Sequence, residues 1–221
     1  AISAVKSESA TFQVLPFVWQ TGGDLNDYAT SGATALAYLR GLIDDGSMSE
    51  AVSNYTQEDA RTQFITGKSA MMINGPWELA TLTKDAQFDW DVAPLPKDKR
   101  AATSMGGENV VVMNGAKQSD AAVKLAKFLT SAEGAKIYCD GSGQLSSRPD
   151  LQGKLKLSND AKLKVFESQL ADAHARAYGK DYPKISEAIQ LSMQEALTGA
   201  STPEAAAKKA ADSINPLLPK N

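Results

Sequence analysis

Hydrophobic and polar positions along the chain follow two patterns: short apolar runs, and segments in which apolar residues recur at helical spacing. Residues 12–19 form an apolar run that contains Pro16 and ends before a glycine pair. Short strands are predicted at residues 69–73, 90–95 and 109–113, and the last of these, NVVVM, is β-branched and uninterrupted. Alternation of such strands with amphipathic helices is typical of an α/β protein, which is the fold class that we predict.

Capping residues and apolar side chains three or four positions apart predict the helices. The predicted helices cover residues 32–45, 56–67, 119–130, 131–138, 160–173, 183–197 and 203–218. Thr56 and Ser119 are the expected N-terminal caps of two of them, and a loop is predicted at residues 140–143. In one helix, four apolar side chains are expected to point inward: Val123, Leu125, Phe128 and Leu129.

The composition is that of an ordinary globular protein, with 43% hydrophobic and 22% charged residues in a chain of 221. A net charge of −3 provides no positive field that would attract nucleic acid. No apolar run approaches the roughly 20 residues that a membrane-spanning helix needs. Binding to nucleic acid and insertion into a membrane are therefore not expected.

Residues that could carry catalysis or bind a metal are few. The chain has one cysteine, Cys139, and one histidine, His174, so no internal disulfide and no metal site are expected. Residues 67–69, Gly-Lys-Ser, look like the end of a phosphate-binding loop. Thr62, however, occupies the place of the glycine that such a loop requires. We expect Cys139 to be a small buried residue and His174 to face solvent on a helix. No cofactor and no enzymatic activity are predicted.

Two tryptophans stand where a binding site is expected. Trp77 follows the turn at residues 74–76 directly after a predicted strand, and ligands of open α/β sheets bind beyond strand ends. Trp19 lies at the end of the apolar run, just before the glycine pair. An indole offers a flat apolar face for the C–H face of a sugar ring. Burial of both side chains in the core is the alternative interpretation, because tryptophan is highly buried on average.

Several segments resemble the bacterial extracellular solute-binding proteins of family 1, the maltose-binding type, which are substrate receptors of ABC importers. The most distinctive is GKSAMMINGPWELATL at residues 67–82. FVWQTGGDL at residues 17–25 and FDWDVAPLP at residues 88–96 are similar to two further family segments. Residues 104–138 and 177–215 resemble the family's return into the first lobe and its C-terminal helical pair. The resemblance covers nearly the whole chain and implies the type II fold of periplasmic binding proteins.

The resemblance also implies how the chain is divided between the family's two lobes. Residues 1–97 and 152–221 are expected in the second, C-terminal lobe, and residues 104–150 in the first. Hinge crossovers are expected at residues 98–103 and around residue 150. Because the family builds its first lobe mostly from N-terminal sequence, we expect this chain to be a truncated or cleaved product, or to have an unassigned N-terminal portion.

The function implied by the resemblance is capture of an extracellular sugar or oligosaccharide in a cleft between lobes and its delivery to an ABC transporter permease. The expected ligand-binding residues are Trp77, Trp19, Gly75, Gly106, Gly107, Glu108, Asn109, Arg176 and Tyr178. Trp77 is expected to supply the stacking face, and Arg176 and Tyr178 to close the rim. The expected receptor is an extracytoplasmic monomer, either free in a periplasm or held at the cell surface by a lipid anchor.

Two alternatives remain open at this point. The same fold could bind a non-sugar solute, such as a polyamine, a phosphate ester or a metal complex, and a strongly charged ligand would need a fixed counter-charge. A glycoside hydrolase would also use stacked tryptophans, but it needs two carboxylates about 5–10 Å apart. Glu78 and Glu108 are the candidates for that pair.

Overall fold

The computed structural model describes residues 1–219, which are mostly helical. The helices are Glu8–Gln20 (α1), Tyr28–Asp44 (α2), Gln57–Ile65 (α3), Leu79–Asp85 (α4), Ser119–Leu129 (α5), Ala132–Ser142 (α6), Ala161–Gln169 (α7), Tyr182–Leu197 (α8) and Pro203–Ile214 (α9). Within this part of the chain, the strands Thr103–Met105 (β1) and Ala173–Ala175 (β2) pair in parallel, with Ser104 opposite His174. None of the helices among residues 1–219 combines the length and apolarity that spanning a bilayer requires.

The described chain divides into two compact units. Unit 1 comprises Ala1–Asn74, Leu95–Gly106 and the described residues from Gln169 onward, and unit 2 comprises Gly75–Pro94 and Gly107–Ser168. The lobe assignment made from the resemblance concerns the two lobes of the family. This division does not test it, and it stays a prediction.

Unit 1 contains a hydrophobic core in which α1, α2, α8 and α9 pack together. Ile185, Ile189 and Met193 recur every four residues along α8, and all three side chains are fully buried. Such spacing places residues on one face of a helix, and this face is the buried side of α8. Alanines of α9 are buried against the same core, and their small side chains allow close helix contact.

Helix α1 continues through Pro16, which lies within the apolar run at residues 12–19. Proline has no backbone N–H, so the carbonyl of Phe12, four residues earlier, loses its usual helical partner. The Ser104 hydroxyl donates a hydrogen bond to that carbonyl at 2.8 Å. A donor from β1 therefore satisfies the group that the proline leaves unpaired within the helix.

The predicted strands at residues 69–73, 90–95 and 109–113 are wrong for the described part of the chain, where the only sheet is the β1–β2 pair. A strand needs a neighbouring strand to satisfy its backbone groups, and residues 1–219 supply none to these segments. Val111 and Met113 are 71% and 74% exposed. The apolar side chains of the NVVVM segment are therefore exposed to solvent rather than buried.

The helices of unit 2 differ from prediction in several respects. Ser119 is not the N-cap of α5, because the helix begins at Ser119 and its N-cap is Gln118, which makes no side-chain capping bond. The α5 side chains expected to point inward are exposed, namely Val123, Leu125, Phe128 and Leu129. The main neighbour of α5 is α6, which leaves the apolar stripe of α5 uncovered by the described residues. In addition, α6 extends through the predicted loop to Ser142 and ends at Gly143, whose φ of +72° is typical of a helix terminus.

Candidate functional site

Trp77 lies near the start of unit 2, on the 3₁₀ turn Pro76–Glu78 that leads into α4. The indole packs over Gly75, because a Cβ atom at residue 75 would lie only 2.1 Å from ring atom Cη2. Pro76 begins the turn at a position where a backbone N–H is dispensable. The sequence NGPW thus places the indole through a close approach that only glycine permits. The Trp77 side chain is half-buried, so part of it reaches solvent.

Gly107, Glu108 and Asn109 also belong to unit 2 and are exposed. An added Cβ atom at Gly107 would meet nothing within 4 Å, so its surroundings leave backbone groups accessible. Gly106 is the last residue of its segment in unit 1, and its Cβ would lie 3.0 Å from Cε2 of Phe12. Phe12, which the sequence did not single out, therefore packs against the backbone at Gly106.

Arg176, in unit 1, makes several contacts there. Its Nε donates to Oε1 of Glu8 at 3.0 Å and to the Tyr182 hydroxyl at 2.9 Å. Nη1 donates to the Met105 carbonyl at 3.0 Å, and the guanidinium carbon lies 4.7 Å from the centre of the Phe12 ring. Only 17% of the arginine side chain is exposed. These contacts hold Arg176 against the end of β1.

Trp19 and Tyr178 share the carboxylate of Asp24. Trp19 Nε1 donates to Asp24 Oδ1 and to the Tyr178 hydroxyl, both at 3.1 Å, and the Tyr178 hydroxyl donates to Asp24 Oδ1 at 2.5 Å. Trp19 is 0% exposed, so its indole has no surface to offer a ligand. His174 stacks on this indole with ring centres 4.8 Å apart. The prediction that His174 faces solvent on a helix is wrong, because the residue lies on β2.

Tyr178, which contacts Asp24, and Tyr182, which contacts Glu8, keep their protons at neutral pH. Burial, followed by the hydrogen bond to Asp24, raises the pKa of Tyr178 well above its usual range. Burial and the hydrogen bond to Glu8 raise the pKa of Tyr182 to about 12. A neutral phenol donates to a carboxylate, so each tyrosine binds its acidic partner through a charge-assisted hydrogen bond.

The side chains that could take part in catalysis differ in their burial. Glu78 is buried and Glu108 is exposed, and both belong to unit 2. Cys139 is buried, as predicted, and burial raises the pKa of its thiol, which disfavours the nucleophilic thiolate. Among residues 1–219, no group of three or more His, Cys, Asp or Glu side chains could hold a metal ion.

A polar cavity of ≈ 270 Å³ lies in unit 1 beside the glycine pair. It is lined by Thr21, Gly22, Gly23, Asp27, Thr30, Ser31, Thr34, Asp98 and Lys99. None of the nine predicted ligand-binding residues is among these lining residues. The predicted ligand-binding residues therefore do not form this cavity.

The structure brings the predicted residues together in groups within each unit. In unit 2, Trp77 contacts Gly75, and residues 107–109 are consecutive. In unit 1, Trp19 contacts Tyr178 directly. Sequence reasoning missed four residues of the unit 1 clusters: Glu8, Phe12, Asp24 and Tyr182. Asp24 had a local signal, the D-x-x-D spacing with Asp27 that forms a capping box, whereas the partners of Glu8 are too distant in sequence to be inferred.

Comparison with known proteins gives a consistent assignment. A family model described as bacterial extracellular solute-binding protein matches residues 4–165. A Brucella abortus protein described as a binding protein is 26% identical over 213 residues, covering 92% of this chain and 52% of its own length. A maltooligosaccharide ABC transporter solute-binding lipoprotein of Streptococcus pneumoniae is 32% identical over 103 residues, covering 45% of this chain and 24% of its own length.

Solved structures share the fold over nearly the whole chain. A solute-binding protein of an ABC transporter from Thermotoga lettingae, bound with α-D-tagatose, has 31% identity and a TM-score of 0.86, covering 99% of this chain and 59% of its own. A maltose-bound protein of T. maritima has 28% identity and a TM-score of 0.85, covering 99% and 60%. The predicted type II fold is confirmed, and the chain spans about half to three fifths of the length of these relatives.

Proposed function

We propose that the chain forms part of the substrate receptor of an ABC importer, because it belongs to the bacterial extracellular solute-binding proteins. The receptor captures an extracellular sugar or oligosaccharide and delivers it to a membrane permease. The observation that carries this proposal is the match, over 99% of this chain, to two sugar-bound proteins of the same fold. The match to a family of binding proteins favours this function over the hydrolase alternative.

Trp77 is the residue that we propose as the stacking face for the sugar. Its indole is partly exposed and is held over Gly75, so the ring is positioned before any ligand arrives. A preorganised aromatic face loses little conformational freedom on binding, which favours affinity. The polar side chains of Glu108 and Asn109 and the backbone at Gly106 and Gly107 are proposed to supply hydrogen bonds to sugar hydroxyls.

The receptor is proposed to work outside the cytoplasm, as the description of its family indicates. Its protein partners are the permease subunits of the importer, and its ligand leaves chemically unchanged. A lipid anchor is a feature of the S. pneumoniae relative by its name, and we propose anchoring or periplasmic location as the two options for this protein.

Calorimetric titration of the receptor that contains this chain with maltose, maltotriose and D-tagatose tests the proposal. Saturable binding of at least one sugar is expected, and incubation with maltotriose should leave it intact. Binding of a polyamine such as putrescine with no response to any sugar would refute the sugar assignment. Release of shorter sugars, abolished by Glu78→Gln, would instead establish a hydrolase.

A further inference from the structure

We infer that Arg176 and Glu8 are positioning residues, which hold the point where the chain leaves unit 1 and so set ligand affinity without touching the ligand. The inference rests on the proposed function, because the affinity concerned is that for a sugar. It differs from the expectation that Arg176 closes the rim of the site. The contacts that support it lie around β1, α1 and the first two turns of α8.

The exit point is Gly106, which follows β1 directly and ends its segment of unit 1. Gly106 and Gly107 are also the residues whose backbone is proposed to approach the sugar. Strand β1 has three residues and pairs only with β2 among the described residues. A parallel pair of this length contributes few hydrogen bonds, so the position of β1 depends on contacts from other elements.

Helix α1 makes two of these contacts, one just before β1 and one at its middle. Gln20 Nε2 donates to the Ala102 carbonyl at 3.1 Å, and Ser104 donates to the Phe12 carbonyl at 2.8 Å. At the end of β1, the Met105 carbonyl accepts from Arg176 Nη1 at 3.0 Å. Arg176 therefore holds the last strand residue before the exit point.

Glu8 in turn fixes the arginine. Its Oε1 accepts from Arg176 Nε and from the Tyr182 hydroxyl, and its Oε2 accepts from Ser186 Oγ at 2.5 Å. The Ser186 hydroxyl is also within 2.8 Å of Thr11 Oγ1 in α1. Both carboxylate oxygens are thus occupied, and charge-assisted bonds of this kind are stronger than neutral ones. The network joins α1 and α8 to the arginine that holds β1.

Loss of the network should leave the exit point mobile in the ligand-free receptor. A mobile segment has to be ordered when the ligand binds, and that ordering lowers affinity. The same substitution would therefore raise local hydrogen exchange before ligand is added and weaken binding afterwards. If Arg176 instead contacted the ligand directly, its substitution would weaken binding without raising hydrogen exchange in the ligand-free receptor.

The experiment compares Arg176→Gln, Arg176→Lys and Glu8→Gln in the receptor containing this chain. Arg176→Lys retains a charge opposite Glu8 but lacks the planar fork that reaches the carboxylate and the carbonyl together. Amide hydrogen exchange at residues 103–107 is measured without ligand, and affinity is measured by calorimetry with maltose and D-tagatose. The Arg176 variants should exchange about tenfold faster there and bind about tenfold more weakly, as expected for loss of one charge-assisted hydrogen bond.

Arg40→Gln is the matched control. Arg40 forms an ion pair with Asp44 at 2.7 Å and donates Nη1 to the Leu197 carbonyl at 2.8 Å, but it contacts α8 rather than β1. This variant should leave both measurements within about twofold of the parent protein, since neither bond reaches the exit point. Unchanged exchange in both Arg176 variants would overturn the inference, and so would faster exchange with unchanged affinity. A parent protein that binds putrescine and none of maltose, maltotriose and D-tagatose would refute the sugar assignment, and the exchange measurement would still decide the positioning role.

Discussion

Gly75→Ala tests whether the position of the Trp77 indole depends on the absence of a side chain at residue 75. The backbone at Gly75 has φ of −124° and ψ of 178°, a conformation that any residue adopts. The substitution therefore adds no backbone strain. Its effect comes from the methyl group alone, which would meet three ring carbons of Trp77.

The size of the effect follows from these distances. The new Cβ would lie 2.1, 2.2 and 2.4 Å from Cη2, Cζ3 and Cζ2 of the indole. Carbon atoms in contact are about 3.5–4.0 Å apart, so the ring has to move by roughly 1.5 Å. A displaced stacking face should weaken sugar binding by about 1–2 kcal/mol, a rise of about 5- to 30-fold in Kd.

Two measurements check this prediction on the receptor that contains the chain. Calorimetric titration with the sugar that binds the parent protein gives the change in Kd, and near-ultraviolet circular dichroism reports the surroundings of the tryptophans without ligand. Gly141→Ala in α6 is the control, because its added Cβ meets nothing within 4 Å. Parent-like affinity together with a parent-like spectrum in Gly75→Ala would refute the reasoning.

Further predictions concern the same indole, the core and a buried phenol. Trp77→Ala should weaken sugar binding by about 1–3 kcal/mol in calorimetry, whereas unchanged affinity would make the indole purely structural. Ile189→Ala should lower the free energy of unfolding of this chain by about 2–5 kcal/mol in urea titrations. Leu125→Ala should lower it far less, because Leu125 is 57% exposed; equal losses would contradict the fold. Burial raises the pKa of Tyr28 to about 12 from 10.0. The protonated phenol therefore contributes its full stabilisation below pH 10, and this contribution is lost as the pH rises through 12. The free energy of unfolding should therefore fall by up to about 1.4 kcal/mol per pH unit from this group, and Tyr28→Phe should reduce that slope.

Local patterns predicted a large part of the helical structure. Thr56 is the N-cap of α3, as expected, and it forms a capping box with Asp59. Apolar side chains at helical spacing also predicted α8, in which Ile185, Ile189 and Met193 are buried. Signals of this kind act within one or two helical turns, so neighbouring residues contain all the necessary information. The turn at NGPW was predicted for the same reason, since Pro76 favours the first position of a helical turn.

Predictions that required a distant partner failed. NVVVM has strong strand propensity, but strand formation depends on a neighbour that residues 1–219 do not supply. The apolar stripe of α5 was assigned to a core from its spacing, although spacing identifies a face and does not show what covers it. Trp19 and Trp77 both lie within three residues of a glycine, yet one is fully buried and the other is half-buried.

The sequence by itself determined the cap of α3, the apolar stripe of α8 and the family to which the chain is similar, because each depends on short segments. Only the tertiary structure decided that Glu8 and Arg176, 168 positions apart, form an ion pair beside β1. It also decided that Ser104 satisfies the carbonyl freed by Pro16 and that Trp19 is buried beneath His174. Hydrogen bonds and ring contacts between remote segments depend on how helices pack, and no periodicity within one segment encodes that packing.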